Sequence, residues 1–424
     1  MSEIKRRSVL AGAGAGAVAL GSSMSIREAR AQAAAASAPI KIGCMAPFSG
    51  VYTVVGTPIK VAAGIAVDQI NAAGGVNGRK LELVIGDEKA DPNQSVAVAR
   101  DFMSQGLQLV IGEPNTANLL ATLPVIKEGN ALMIACGTPD ERLTHEAFIP
   151  NLFTTAPNNY MALSGWAKIF AQRYPNITTW GGIIPDISMS HNIWDVFAVL
   201  LPRAYAAVGK KITLLDPQLA KFGTTDFKTQ IANLLSGPAE AMMSVEVGND
   251  GLTFFQQQRQ LGLDKKMKLM ADYSLDIDLP RALKKNLPPV IWSKSYFSYP
   301  AWEKNKMAVE TNAAFVKATG DQYLHQLGCC GHTAVLSIAA ALKANGGKTD
   351  LASMIPALEG RKFDSIRGQT YYRKEDHQLV SFTNFCRFEG ADTPAGWKYA
   401  EILTVDESQN LHPPTPGVKF VVPG

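Results

Sequence analysis

The chain is short of the residues that covalent and metal chemistry needs. Six histidines and five cysteines are scattered through 424 residues, and no Gly-x-Ser-x-Gly, His-Glu-x-x-His or Gly-x-x-x-x-Gly-Lys occurs. These gaps favour binding over turnover, and neither a cofactor nor a metal is expected. An excess of one charge is missing too. The formal net charge is +4, and setting aside residues 1–31, with five basic and two acidic side chains, lowers it to +1. So even a balance leaves no nucleic-acid footprint and no polybasic membrane patch. An odd number of cysteines cannot all pair. Cys44 and Cys136 fall in expected strands and read as buried free thiols, and the adjacent Cys329 and Cys330 read as packing residues unless one pairs with Cys386. Beyond the N-terminal region no apolar run is expected to span a bilayer.

What is present begins with a leader. Lys5-Arg6-Arg7-Ser8 precedes the uncharged run Ala11 to Ser25, and Ala29-Arg30-Ala31 offers a small-x-small cleavage site, so residues 1–31 read as a signal peptide. The paired arginines suggest the twin-arginine route, an ordinary secretory signal being the alternative. Either delivers the chain to the periplasm. Gly12-Ala-Gly-Ala-Gly16 is no dinucleotide loop, because no strand precedes it and the third glycine spacing fails. The remaining length suits two lobes better than one core.

Residues 40–138 alternate apolar strands with helices. The strands are read at Ile40 to Ala46, Leu81 to Gly86, Leu107 to Gly112 and Ala131 to Cys136, each apolar enough to be buried on both faces of a parallel sheet. Thr57-Pro58 is expected to open a helix that Gly74-Gly75 closes, with Ile59, Ala63, Ala66 and Ile70 on one face. Asp91-Pro92 opens the next, carrying Val96, Ala99 and Met103, and Gly106 ends it.

At these residues the chain resembles the periplasmic branched-chain amino-acid-binding protein family, the type I solute-binding proteins of ABC importers. The likeness is carried by Ile40-Lys-Ile-Gly-Cys-Met-Ala-Pro-Phe-Ser-Gly50, Ala66-Val-Asp-Gln-Ile-Asn-Ala-Ala-Gly-Gly-Val-Asn-Gly-Arg-Lys80 and Asp91-Pro-Asn-Gln-Ser-Val-Ala-Val-Ala99. It continues through Leu109-Val-Ile-Gly112, Met133-Ile-Ala-Cys-Gly-Thr138 and Arg373-Lys-Glu-Asp-His-Gln378. The resemblance implies an α/β fold of two doubly wound parallel-sheet lobes joined by a three-crossing hinge. Lobe one is expected over residues 40–154 and 298–363, and lobe two over 155–297 and 364–424.

The rest of the chain repeats the alternation. Helices at Met161 to Arg173, Asn192 to Val208, Phe227 to Ser236 and Gly251 to Leu261 enclose strands at Thr179 to Ile184, Lys211 to Leu215 and Ala241 to Val245. Helices Met307 to Thr319 and Gly331 to Ala344 resemble the family's return to lobe one. A third crossing is expected near Phe363 to Gln369, after which the strands around Tyr371 and Phe382 to Phe388 complete lobe two.

Ligands of open α/β sheets sit beyond the carboxyl ends of the strands, where helix N-termini present free N–H groups. Gly112-Glu-Pro-Asn-Thr-Ala-Asn118 is such a loop. Thr116 aligns with the hydroxyl that in the resembled family receives the ligand carboxylate, and Asn115 reads equally as a helix cap. Gly137 and Thr138 occupy the family's second carboxylate position, although Pro139 removes one N–H there. In lobe two, Ser190 stands where relatives commonly place an aromatic, with His191 beside it. The resemblance puts Tyr273 where amino-acid binders keep an acid for the α-ammonium, with Asp272 next to it, and alternation allows only one of the two to point squarely inward. Tyr273 is the favoured one, so the ligand reads as a carboxylic acid without an essential amine. Ser49, Tyr52, Tyr296 and a cleft-edge His332 complete the set. His325, Cys329 and His332 share a helical face only if Gly328 and Gly331 allow a continuous helix, and packing is preferred to metal binding there.

The resemblance thus implies a solute-binding protein that captures a small organic solute, whether a carboxylic acid, aromatic acid or amino acid, and delivers it as a monomer to ABC permease subunits. A ligand-sensing receptor of the same fold is the alternative, and an exported α/β enzyme a distant third.

Overall fold

Four of the five strands of the first sheet are the apolar runs read from the sequence. The structure, a computed structural model, describes residues 38–423, so the expected leader lies outside the described residues. The strands are β1 (Ile40–Ala46), β2 (Leu81–Asp87), β3 (Leu109–Gly112), β4 (Leu132–Ala135) and β5 (Leu152–Thr154), all parallel in the order β2-β1-β3-β4-β5. Between them run α1 (Thr53–Ala72), α2 (Pro92–Ser104) and α3 (Thr116–Glu128). Helix α2 opens as read, with Asp91 Oδ1 accepting from the Gln94 N–H at 2.9 Å. Helix α1 does not: it begins a turn before Pro58, which lies inside it and forfeits one amide donor. Packing explains the earlier start. Gly56 lets the first turn lie against the loop after β1, where a side chain at that position would meet the Pro47 carbonyl at 2.2 Å.

The second sheet is built from α4 (Asn159–Arg173), β6 (Thr179–Pro185), α5 (Ser188–Ala207), β7 (Thr213–Leu214), β8 (Gln218–Ala220), α6 (Lys228–Ser236) and β9 (Ala241–Ser244). It continues through α7 (Gly248–Leu261), α8 (Leu263–Lys266), β10 (Leu269–Asp272), α9 (Asp278–Leu283) and β11 (Ile291–Ser295). The chain then returns through α10 (Lys306–Thr319), α11 (Gln326–Ala344) and α12 (Leu351–Leu358) to a small sheet, β12 (Phe363–Ser365), β13 (Gly368–Tyr372) and β14 (Leu379–Val380). Last come β15 (Phe382–Gly390) and β16 (Trp397–Asp406), which add an antiparallel edge to the second sheet in the order β16-β15-β11-β10-β9-β6-β7, with β8 also on β6.

Each sheet has its own core. Ile42, Ile111, Ile134 and Phe153 pack with Val335 and Ile338 of α11, whereas Trp166, Trp180, Phe197 and Trp292 fill one face of the second sheet and Phe227, Phe254 and Ile291 the other. These placements correct two expectations. Residues 364–380 stay with the first sheet: Tyr372 and Leu379 lie in its core, and the Phe153 ring sits 4.9 Å from Tyr372 and stacks at 3.8 Å on His377. The chain therefore passes between the sheets at residues 155–158, 296–298 and 381, rather than near Phe363. Secondly, α11 is long and apolar enough to span a membrane by length and composition, yet it is a core helix. It runs unbroken through Gly328 and Gly331, where a Cβ would lie 3.1 Å from the Pro58 carbonyl oxygen and 2.6 Å from that of Ile59. The glycines are what let it press onto α1. All five cysteines are buried and free.

Candidate ligand-binding site

Loops that follow strands of the two sheets touch one another. Glu141, beyond β4, accepts from the Tyr160 N–H at 2.7 Å, from Asn159 Nδ2 at 3.1 Å and from Asn192 Nδ2 at 2.9 Å. The first two donors begin α4 and the third stands on α5. Tyr273, beyond β10, donates its hydroxyl to Asn159 Oδ1 at 2.7 Å. A hydrogen-bonded line thus runs from the first sheet's loop to the strand ends of the second. Burial pushes the Glu141 carboxyl up to about 7, and hydrogen bonds from Asn192 and Asn159 oppose it. A second junction joins α9 to the start of α11, with Asp278 Oδ2 3.5 Å from His325 Nε2.

On the first sheet's side the sequence-predicted groups are mostly engaged locally. Asn115 is a helix cap, its Oδ1 accepting from the N–H groups of Ala117 at 2.9 Å and Asn118 at 3.3 Å. Thr116 opens α3 half-buried, and no hydrogen bond engages its hydroxyl among the described residues. Thr138 is buried and donates to the Glu113 carbonyl at 2.9 Å, tying the two strand-end loops together. Gly137 has a φ of +89°, with Leu327 of α11 so close that a Cβ would meet Cδ2 at 2.3 Å, so only glycine fits. Ser49 and Tyr52 are exposed at the turn after β1.

The second sheet's side differs. Ser190, in the first turn of α5, is fully buried with an unpartnered hydroxyl. His191 pairs with Asp186 Oδ1 at 2.8 Å. Asp272 accepts from the backbone N–H groups of Ser274, Leu275 and Asp276 and from the Ser293 hydroxyl, which makes it the organiser of its turn. Burial pushes it up to about 6 against those donors. Tyr273 turns to α4 instead, and Tyr296 is buried with its N–H on Gln326 Oε1 at 3.2 Å.

His332 is not at a cleft edge. It is wholly buried on α11, with Nε2 3.0 Å from Gln69 Oε1 of α1 and 3.1 Å from Thr311 Oγ1 of α10. Burial pulls its imidazole down to about 3, so it packs as a neutral ring. Its helical partner His325 caps α11 by accepting from the Leu327 N–H, and among the described residues no three metal-ligating side chains come together.

The sequence reading missed Glu141, Asn159, Asn192 and, above all, Lys294. The last had a signal. Ile291-Trp-Ser-Lys-Ser295 is a strand whose five residues are all buried, and a lysine in such a run is anomalous.

Comparison with known proteins agrees with this architecture. Residues 39–392 match the family model described as periplasmic binding protein. Leu/Ile/Val-binding protein homolog 2 of Brucella abortus (strain 2308) is 37% identical over 134 residues, 30% of this chain and 36% of that protein, so the match spans only about a third of the relative's length. Among solved structures, the leucine-, isoleucine-, valine-, threonine-, and alanine-binding protein from Brucella ovis, in its closed conformation, superposes with a TM-score of 0.76 at 17% identity, covering 91% of this chain and 100% of that one. A solute binding protein of an ABC transporter from Rhodopseudomonas palustris BisB5, in complex with 3,4-dihydroxy benzoic acid, gives 0.74 at 20% identity, covering 87% and 98%. These structures share the type I fold of two parallel-sheet lobes. Because the family match covers most of the chain, the chain belongs to the periplasmic binding protein family.

Proposed function

We propose that the protein is an extracytoplasmic solute-binding protein that closes two lobes around a small organic acid and presents it to the permease subunits of an ABC importer. The observation that carries this reading is the polar seam between the lobes, Tyr273 to Asn159 to Glu141 to Asn192. Rotation about the three passages would make or break such a seam, which is how hinge closure around a ligand works. Support for the solute class comes from two sides: the Brucella proteins are named for aliphatic amino acids, and the Rhodopseudomonas structure holds an aromatic acid. In this reading the Thr116 hydroxyl and the backbone at Gly137 and Thr138 receive a carboxylate, and Ser190, Tyr273 and Tyr296 cover the rest of the solute. Export by the leader, periplasmic residence and a monomeric state belong to the same proposal.

A thermal-shift screen of amino acids, aromatic acids, dicarboxylates and amides tests it. Binding confined to the native state adds about 2.7 kcal/mol at a hundredfold excess over Kd, and small-angle scattering should show compaction with the same compound. An unchanged radius of gyration at saturation would count against capture by closure.

A further inference from the structure

Lys294 is the only charged residue of β11 and is 3% exposed. Its Nζ lies 4.3 Å from the centroid of the Tyr273 ring and 4.1 Å from that of Tyr296. Tyr273 belongs to the second sheet's core and Tyr296 to the first sheet's, so the ammonium stands where the two lobes meet. Aromatic faces attract the charge, but they do not fill its three N–H donors. Among the described residues no hydrogen bond or ion pair does so either. Of the two nearby carboxylates, Asp272 is bonded within its own turn, whereas both Asp276 oxygens are buried without a hydrogen-bond partner and reach Lys294 only through their field. A buried cation with empty donors is costly unless something arrives to meet it.

We propose that Lys294 is the specificity-determining cation of the cleft: its ammonium takes an acidic oxygen of the solute, a carboxylate or an acidic phenol, between the Tyr273 and Tyr296 rings, and rejects solutes that present an ammonium there. This rests on the solute-capture reading and narrows the solute class to small organic acids without an amine.

Matched probes test it: benzoate, benzamide and benzylamine, with hexanoate and leucine, titrated calorimetrically into the full chain, Lys294→Met and Lys294→Arg. At least one acid should bind tenfold or more tightly than the amide, the amine and leucine. Lys294→Met, similar in volume and uncharged, should lose at least tenfold in acid affinity without lowering the unfolding temperature, and Lys294→Arg should keep part of it. Acid binding unchanged in Lys294→Met, or a preference for an amine or for leucine, overturns the proposal and leaves solute capture standing. A panel on which nothing binds counts against capture itself, and this inference falls with it. Should Lys294→Met not fold, proton uptake by the unmodified protein decides. Burial pulls the ammonium down to about 8, against Asp276, Asp272 and Cys330, so an acid bound there at pH 8.5 should draw in a fraction of a proton, read as a buffer-dependent enthalpy. No uptake also overturns it.

Discussion

The two edges of the cleft differ in the charge they bury. On the first sheet's side, Asn115 bonds its own helix start and Thr138 bonds the neighbouring loop, while the Thr116 hydroxyl and the buried Glu113 carboxyl have no hydrogen-bond partner among the described residues. On the second sheet's side, the Ser190 hydroxyl and both Asp276 oxygens are buried without partners, and Lys294, a buried residue, has only aromatic rings against its ammonium. The first edge keeps neutral caps and hydroxyls beside its helix start and the second holds a buried cation, so on the proposed reading the first sets the position of a ligand and the second judges its charge.

The largest effect should come from Asp272, the acid that organises the turn after β10 on the second edge. Asp272→Ala removes the acceptor of three backbone N–H groups and of Ser293, and should cost roughly 3–4 kcal/mol in a urea denaturation of the ligand-free protein. If stability holds and only the binding of amine-bearing solutes is lost, the contrast between the edges breaks.

Glu141 sharpens the comparison because it joins both edges. Its carboxyl titrates near 7 when folded instead of near 4.5, so the folded state holds the proton more tightly. Its contribution to stability is complete below about pH 4.5 and is lost as pH rises through about 7. For so buried a group this is on the order of 2–3 kcal/mol. Asp140, Asn159 and Asn192 face it. Glu141→Gln should remove that part of the slope, and a wild-type minus variant difference that stays flat between pH 5 and 8 would contradict the assignment.

A paired test on the first edge comes next. Thr116→Val should weaken a carboxylate solute by roughly 1–3 kcal/mol with little change in stability, whereas Thr138→Val should cost about 1 kcal/mol of stability through its lost bond to Glu113. Calorimetry and denaturation together separate the two. Smallest of all, Asn115→Ala should cost about 1 kcal/mol as a lost cap, and an affinity loss without a stability loss would return Asn115 to the ligand.

The same division governs what could be read from the sequence. The first sheet announces itself through local grammar, in Asp91-Pro92 and in the apolar runs Ile40 to Ala46 and Leu109 to Gly112, because each signal acts within a few residues. Pro58 misled for the same reason: the close approach that Gly56 permits to Pro47 is a tertiary fact, and it outweighed a lost amide. Residues 364–380 were misplaced because Tyr372 and Leu379 go to whichever core lies nearest, and Phe153 is distant in sequence. On the candidate site, the family likeness pointed to the strand-end loops, but the seam through Tyr273, Asn159, Glu141 and Asn192 joins residues up to 114 apart in sequence. His332 was expected at a cleft edge because nothing local in the sequence announces that α1 and α10 close over it.

The buried thiols have a practical consequence. Burial raises the pKa of every one of the five, Cys44 and Cys329 to about 12, so a maleimide reagent should find almost no thiolate on the native surface. A single cysteine introduced at exposed Tyr52 would then be the one reactive handle on the molecule. A fluorophore attached there, at the rim of the first edge, would turn lobe movement into a change in emission and make the protein its own reporter of the solute it holds.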